Sequence, residues 1–310
     1  MLIRNLPQFF VDARDYQIVF LSLFLFLGVN TRDWTVQPYL MGTIIISCLI
    51  TQWLLSSLVE YGKRNSDYHL NTIYSQLHLL TSPKVMMSLR SALITALGLC
   101  LLLRSNNSTT MAIAGFLAIA SKFLFTYQKK HFFNPANFGI IAALVLTNDA
   151  WVSPGQWGTD WWYLLVFLGF GGIILRKVGR WDTSVTFFLT YGGLEAMRHL
   201  WLGWSWDVWQ HQLMSGSLLL FALFMLTDPR SIPNSRLSRL IWSVAIALAT
   251  FILQDYFYLS TAIFWSLFII SPLTILLDKV WNAPRFAWSG VSSVNSPSLF
   301  GNWLFKINQE

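Results

Sequence analysis

Charge is what this sequence has least of. Only 11% of its 310 residues are Asp, Glu, Lys or Arg, against about a quarter in a soluble globular domain. A chain so poor in charge cannot cover itself with a water-facing coat. Cysteine is scarce as well. Cys48 and Cys100 both fall inside apolar runs, with no CxxC or Cys/His spacing, so neither a disulfide framework nor a cysteine-held metal is indicated. The five histidines are scattered, with no pair at ligand spacing on one helix face. No GxSxG, HExxH or Walker-type loop occurs, so no hydrolytic or nucleophilic enzyme is expected of the chain on its own.

What is present is apolar: 55% of residues are hydrophobic and mean hydropathy is +0.51. Lipid is the matching solvent, because about 20 apolar residues cross a hydrocarbon core about 30 Å thick. The sequence reads as an all-α polytopic membrane protein of about ten transmembrane segments, near 17–29, 38–59, 88–103, 108–126, 133–147, 160–175, 184–202, 213–227, 237–254 and 256–277. The third and eighth are short. The first lacks a small-residue cleavage site and is expected to stay as a span.

The net charge of +7 fits basic cytoplasmic loops rather than a nucleic-acid face. With the N-terminus placed inside, 21 Lys and Arg distribute over alternating loops, and only Arg32, Arg104 and Arg198 fall on the outer side. Both termini are therefore expected in the cytoplasm, and the protein in the cell inner (plasma) membrane. SALITALGLCLLLRSNN from Ser91 and SGSLLLFALFMLTDPRS from Ser215 are each a short apolar run opened by serine and closed by polar residues. They are the third segments of a first and a second five. Five is odd, so two such halves lie upside down to one another, and inverted repeats with interrupted helices are characteristic of transporters. The organisation expected is a first repeat over 1–150 with a cytoplasmic loop at 60–87, a second over 151–281, and a cytoplasmic tail at 282–310.

Polar groups at membrane depth supply the candidate site. Asn134-Pro135-Ala136-Asn137 opens the fifth segment. Pro is cheap in a first helical turn and Asn134 can cap it. Asn137 lies deeper, where an unpaired amide costs several kcal/mol, so it needs a partner on a broken neighbouring helix or a wet cavity. Asp228, before Pro229, closes the eighth segment as either a helix stop paired with Arg230 or a cation site. Asp182, Glu195 and Asp255 are weaker intramembrane acids, and Asp182 is expected at the interface beside Arg180. Trp151, Trp157, Trp161 and Trp162 crowd one outer loop and Trp201, Trp204, Trp206 and Trp209 another. They form either an interfacial aromatic belt or a platform for a flat ring.

FNPAN at 133–137 with Gly139, SGS at 215–217 with FMLTDP ending at Pro229, and SALITALGL from Ser91 together resemble the NqrB/RnfD family. These are membrane subunits of the sodium-translocating NADH:quinone oxidoreductase and of the Rnf electron-transport complex. The resemblance implies two inverted five-helix halves in a urea-transporter-like architecture. It also implies FMN held covalently by a threonine in an outer loop between the fifth and sixth segments. Here that loop reads NDAWVSPGQWGT and carries no such motif, for Thr159 stands in an unmatched GTDWW context. A stand-alone relative lacking covalent FMN is the expectation, with non-covalent FMN or riboflavin still open.

Two functions follow. One is transmembrane transport of a small or planar polar solute, flavin-like among the choices. The alternative is an electron-transport subunit that uses non-covalent flavin and other subunits to couple redox chemistry to ion translocation. The candidate path is Asn134, Pro135, Asn137, Asp228, Ser91 and Ser215, and Trp157, Trp161 and Trp204 are the outer-mouth candidates for a cofactor.

Overall fold

The structure is a computed structural model that describes residues 12–31, 37–67, 82–152 and 160–286. Helices occupy all ten expected stretches: α1 Ala13–Thr31, α2 Pro38–Asp67, α3 Pro83–Leu102, α4 Ser108–Leu124, α5 Pro135–Leu146, α6 Trp161–Val178, α7 Trp181–Leu202, then α8 Trp206–Leu213, α9 Gly216–Leu220, α10 Arg236–Asp255, α11 Ala262–Ile270 and α12 Leu273–Val280. Among the described residues, four helices are long and apolar enough to cross a membrane. A fifth is obtained if α11 and α12, bent by 46°, count as one span. The bend sits at Ser271-Pro272, where proline removes a backbone donor.

The expectation of two matched short helices fails in its first member. α3 runs 20 residues, because Ser82 caps it (Val85 N–H to Ser82 Oγ, 3.3 Å) and Pro83 starts it. Ser91 is thus two turns inside a regular helix. The polar stretch before it stays helical because Arg90 meets Asp15 at 3.5 Å and Asp12 at 3.8 Å. The second member is irregular. Ser215 stands at the N-cap of α9, which widens at Phe221–Met225 into a π-helical turn closed by Leu226 N–H on Phe221 O at 2.8 Å. Such turns are rare and concentrate at functional sites. α8 was not expected and begins within the Trp-rich stretch at 201–209.

α2 packs on α4 and α7 on α10; α4 packs on α5 and α10 on α11; α1 packs on α3 and α6 on α9. α5 and α11 touch each other, and one apolar core runs through all of them, including Phe24, Leu99, Ile140, Phe167, Phe221, Trp242 and Phe264. Tight packing is visible at Gly139, where a Cβ would lie 2.7 Å from Ala114 O and 2.8 Å from Ala118 Cβ.

Two small ladders tie the ends. β1 (Leu103–Arg104) pairs with β4 (Trp151–Val152), and β2 (Thr126–Tyr127) with β3 (Lys130–His131). The β2–β3 turn places Gln128 at φ 48° and Lys129 at φ 66°. Paired positive φ values are those of a type I′ hairpin, which normally selects Asn or Gly. Arg285 braces the turn, with Nη1 donating to Gln128 O and Nη2 to Gln128 Oε1 at 2.8 Å. The hairpin thereby aims Lys130 and His131 at the second half of the chain.

Candidate functional site

α5 begins at the centre of the molecule. Asn134 is its N-cap: Asn137 N–H donates to Asn134 Oδ1 at 3.0 Å, and Pro135 occupies the first turn. The other end of the Asn134 amide crosses to the π-turn, with Nδ2 donating to Met225 O at 3.0 Å. Ser184 Oγ donates to Ala222 O in the same turn at 2.6 Å. A widened turn sets carbonyls loose from the regular ladder, and these two side chains supply donors for them. Asn137 Nδ2 donates to Phe264 O on α11 at 3.0 Å, while its buried Oδ1 has no partner. Both amides therefore clamp irregular or facing backbone of the second half.

Beside this clamp lies a cavity of about 80 Å³. α1 lines it with Arg14 and Gln17, α3 with Ser91 and Thr95, and α5 with Asn134 and Pro135. His131, Asp228 and Arg230 complete its polar side, and Leu220, Phe224 and Met225 give it an apolar wall. Four of the six path candidates from the sequence (Ser91, Asn134, Pro135 and Asp228) thus meet in one cavity. Asn137 stands behind it on the α11 contact, and Ser215 is not among its lining residues.

Asp228 accepts from Arg230 N–H at 3.2 Å, and its Oδ2 lies 3.6 Å from His131 Nε2. Burial pushes the Asp228 carboxyl up, but His131 and the Arg230 N–H and charge outweigh it and hold it below the usual carboxylate value. Burial likewise holds His131 below its ordinary value, against the pull of Asp228. At neutral pH the cavity thus presents a carboxylate beside a neutral imidazole. Lys122 closes the inner corner, with Nζ 3.3 Å from both Ser91 O and Ser91 Oγ. Lys130 reaches Ile232 O at 2.5 Å, Asn234 Oδ1 at 3.2 Å and Asp278 Oδ2 at 2.6 Å.

His131, Lys122 and Lys130 are absent from the sequence-based site. His131 is adjacent to FNPAN, which is a usable signal; Lys122 and Lys130 look like ordinary cytoplasmic loop charges. Asp182 requires correction. Its main partner is not Arg180 but Arg239, which grips the buried carboxylate, 5% exposed, through Nε at 3.1 Å and Nη2 at 2.6 Å.

Comparison with known proteins bears on the second half. Residues 147–287 match the model of the NQR2, RnfD, RnfE family. Over that stretch, a little under half of its length, the chain is similar to that family. Three proteins, each described as a subunit of an ion-translocating oxidoreductase complex, align with it. The one from Stutzerimonas stutzeri is 26% identical over 47% of this chain and 40% of its own length. The one from Yersinia pseudotuberculosis serotype O:1b is 33% identical over 32% of this chain and 29% of its own. The one from Alcanivorax borkumensis is 29% identical over 41% and 37%. The chain thus spans two fifths or less of the length of these relatives. The NQR2/RnfD/RnfE match contains Asp228 and the π-turn, while Asn134 lies before it.

The flavin that the family resemblance implies does not fit this cavity. About 80 Å³ holds several waters at about 10–15 Å³ each, whereas a drug-sized ring system takes about 300–1,000 Å³. Trp157 and Thr159 lie outside the described residues. Trp161 is 64% exposed at the start of α6, and Trp204 is 47% exposed with the Arg198 guanidinium 5.0 Å over its ring. Among the described residues no ring contact joins the two into a platform.

Proposed function

We propose that this chain is a membrane subunit of a redox-coupled ion-translocating assembly, with the cavity between Asn134 and Asp228 as a polar step on the ion's route. The observation that carries the reading is the match of 147–287 to the NQR2/RnfD/RnfE family. The cavity supports it. Its volume suits a hydrated ion or a short water file, and Asp228 gives it a fixed negative charge. Solute transport of a planar molecule is the weaker reading on the same size argument.

The inverted-repeat arrangement is part of the proposal. The pairings α2–α4 with α7–α10, α4–α5 with α10–α11, and α1–α3 with α6–α9 recur between the halves and support it, while the close α2–α3 packing has only a slight counterpart between α7 and the π-turn. Polar contacts between chain ends support the assigned sides. β1 meets β4, Ser105 and Thr110 meet Asp149 at 2.5 and 2.7 Å, and Arg198 meets Asp255, all between segments placed outside. Lys130 meets Asp278, and His131 meets Asp228, between segments placed inside. An inner-membrane location with cytoplasmic termini follows from the charge distribution.

Isolation of the tagged chain from its native membranes tests the function. Co-purifying membrane subunits and redox-driven ion uptake by the reconstituted assembly are expected, and a visible spectrum reports any bound flavin. A chain that purifies alone and passes small solutes without a redox partner would establish the transporter instead.

A further inference from the structure

α7 carries a second buried polar cluster, well separated in sequence from the cavity groups. Tyr191, Glu195 and His199 follow at four-residue steps on its packed face and are 1%, 0% and 1% exposed. Both Glu195 carboxyl oxygens are buried and make no well-formed hydrogen bond, with Asp255, Tyr191 and Gln212 the polar groups within reach of them; Asp255 Oδ2, His199 Nε2 and Thr250 Oγ1 are likewise buried without a partner. From α10, Asp255 faces Glu195 closely enough to repel it as an anion; from α8 comes the Gln212 amide; from α7 itself come Tyr191, Arg198 and His199. Arg198 is committed to Asp255, with Nη1 2.5 Å from Oδ1. His199 Nδ1 is occupied by Glu195 O at 2.8 Å, and Tyr191 Oη accepts from Gln212 at 2.9 Å.

The cluster thus holds two acids and one arginine. An ionised carboxylate with no counter-charge of its own and only loosely placed donors is costly to bury, and two neighbouring carboxylates resist joint ionisation. One proton removes both difficulties. We propose that Glu195 and Asp255 form a proton-binding site in which a single proton lies between the two carboxyls. A proton needs no cage, and among the described residues no three His, Cys, Asp or Glu side chains converge to hold a metal ion. Access is built in. A cleft of about 600 Å³, lined by Arg198, Trp201, Phe251, Asp255, Tyr256 and Tyr258, opens beside Asp255 where α7 and α10 end. A proton from water reaches Asp255 first and passes to Glu195, leaving the pair with one negative charge matched by Arg198. The site stands on its own geometry, whether or not the chain serves a redox assembly.

Labelling of the full chain in lipid nanodiscs with dicyclohexylcarbodiimide, which attacks protonated carboxyls in apolar surroundings, tests this directly. Peptide mass spectrometry is expected to find the adduct on Glu195 or Asp255, declining as pH rises and indifferent to sodium at fixed pH. No adduct on either residue at any pH would overturn the proposal; so would protection by sodium, which would make the occupant a metal cation. Infrared difference spectra provide a second reading. The carbonyl band of a buried carboxylic acid is expected in the wild type and lost in Glu195→Gln, and a wild type lacking the band contradicts the site. Because the labelling uses unaltered protein, the outcome does not depend on the variant folding.

Discussion

Asn134 performs two jobs with one amide, and they can be separated. Asn134→Asp keeps the oxygen that caps Asn137 N–H but loses the donor to Met225 O. Met225 O then keeps only the long bond from Asp228 N–H at 3.4 Å, and stability should fall by about 1 kcal/mol or more, read as a fall in the unfolding temperature in detergent; an unchanged temperature would remove the clamp from the account. Asp182 and Asp228 should behave oppositely. Asp182→Ala strands the buried Arg239, 5% exposed, and is expected to cost about 3–5 kcal/mol and most of the folded yield. Asp228→Asn keeps shape and is expected to fold, so that its loss shows in ion movement alone. Acid should also find the cavity. His131 is held below 6.5 and Asp228 below 3.8. For each, the unfolded chain takes up protons before the folded one does. Stability is then complete above about pH 6.5, declines as pH falls through that value and again near 3.8. His131→Gln should abolish the first decline in a pH series of melting curves, and a curve identical to wild type would contradict the assignment. At this scale the sequence showed Asn134, Asn137 and Asp228, because Asn before Pro and Asp before Pro are rare at membrane depth. It did not show His131, Lys122 or Lys130, nor that Arg239 is the partner of Asp182, because those partners lie far away in the chain.

Among the elements, the hydrophobic runs mark where the helices fall, apart from α8 and the break that splits the tenth run into α11 and α12, since run length and flanking polarity are properties of the chain itself. The π-turn left no such mark: FALFM is as apolar as a regular helix would be, and the donors to its loosened carbonyls include Ser184 and Asn134, from two other helices, besides the nearby Thr227. α3 also exceeded its expected length, because Ser82 and Pro83 start it within a stretch that reads as loop. The α4–α5 contact is the tightest test of packing. Gly139→Ala places a methyl 2.7 Å from Ala114 O, a backbone atom that cannot swing aside. The expected cost is about 1–3 kcal/mol, with the cavity rim displaced as α5 shifts. Gly98→Ala is the control, since its Cβ meets only Ala136 Cβ, at 3.5 Å. Equal melting temperatures for the two variants would show that α5 has room to move.

Across the whole molecule, the two halves meet where each is least regular, with the capped start of α5 against the broken end of α9. Lys130 and Asp278 strengthen that junction from one side, for Asp278 also accepts from Asn234 N–H at 2.8 Å. Alternation of basic loops is what the proposed sidedness rests on, while the meeting point required coordinates, because nothing local to FNPAN names Met225 as its partner. If ions pass between the halves, they pass Asp228. Redox-driven ion uptake by the purified assembly in liposomes, wild type against Asp228→Asn at matched assembly and folded yield, tests this most directly. Uptake should fall about tenfold or more, as expected when a carboxylate on an ion route through the membrane is neutralised. Undiminished uptake by the assembled variant would contradict the account.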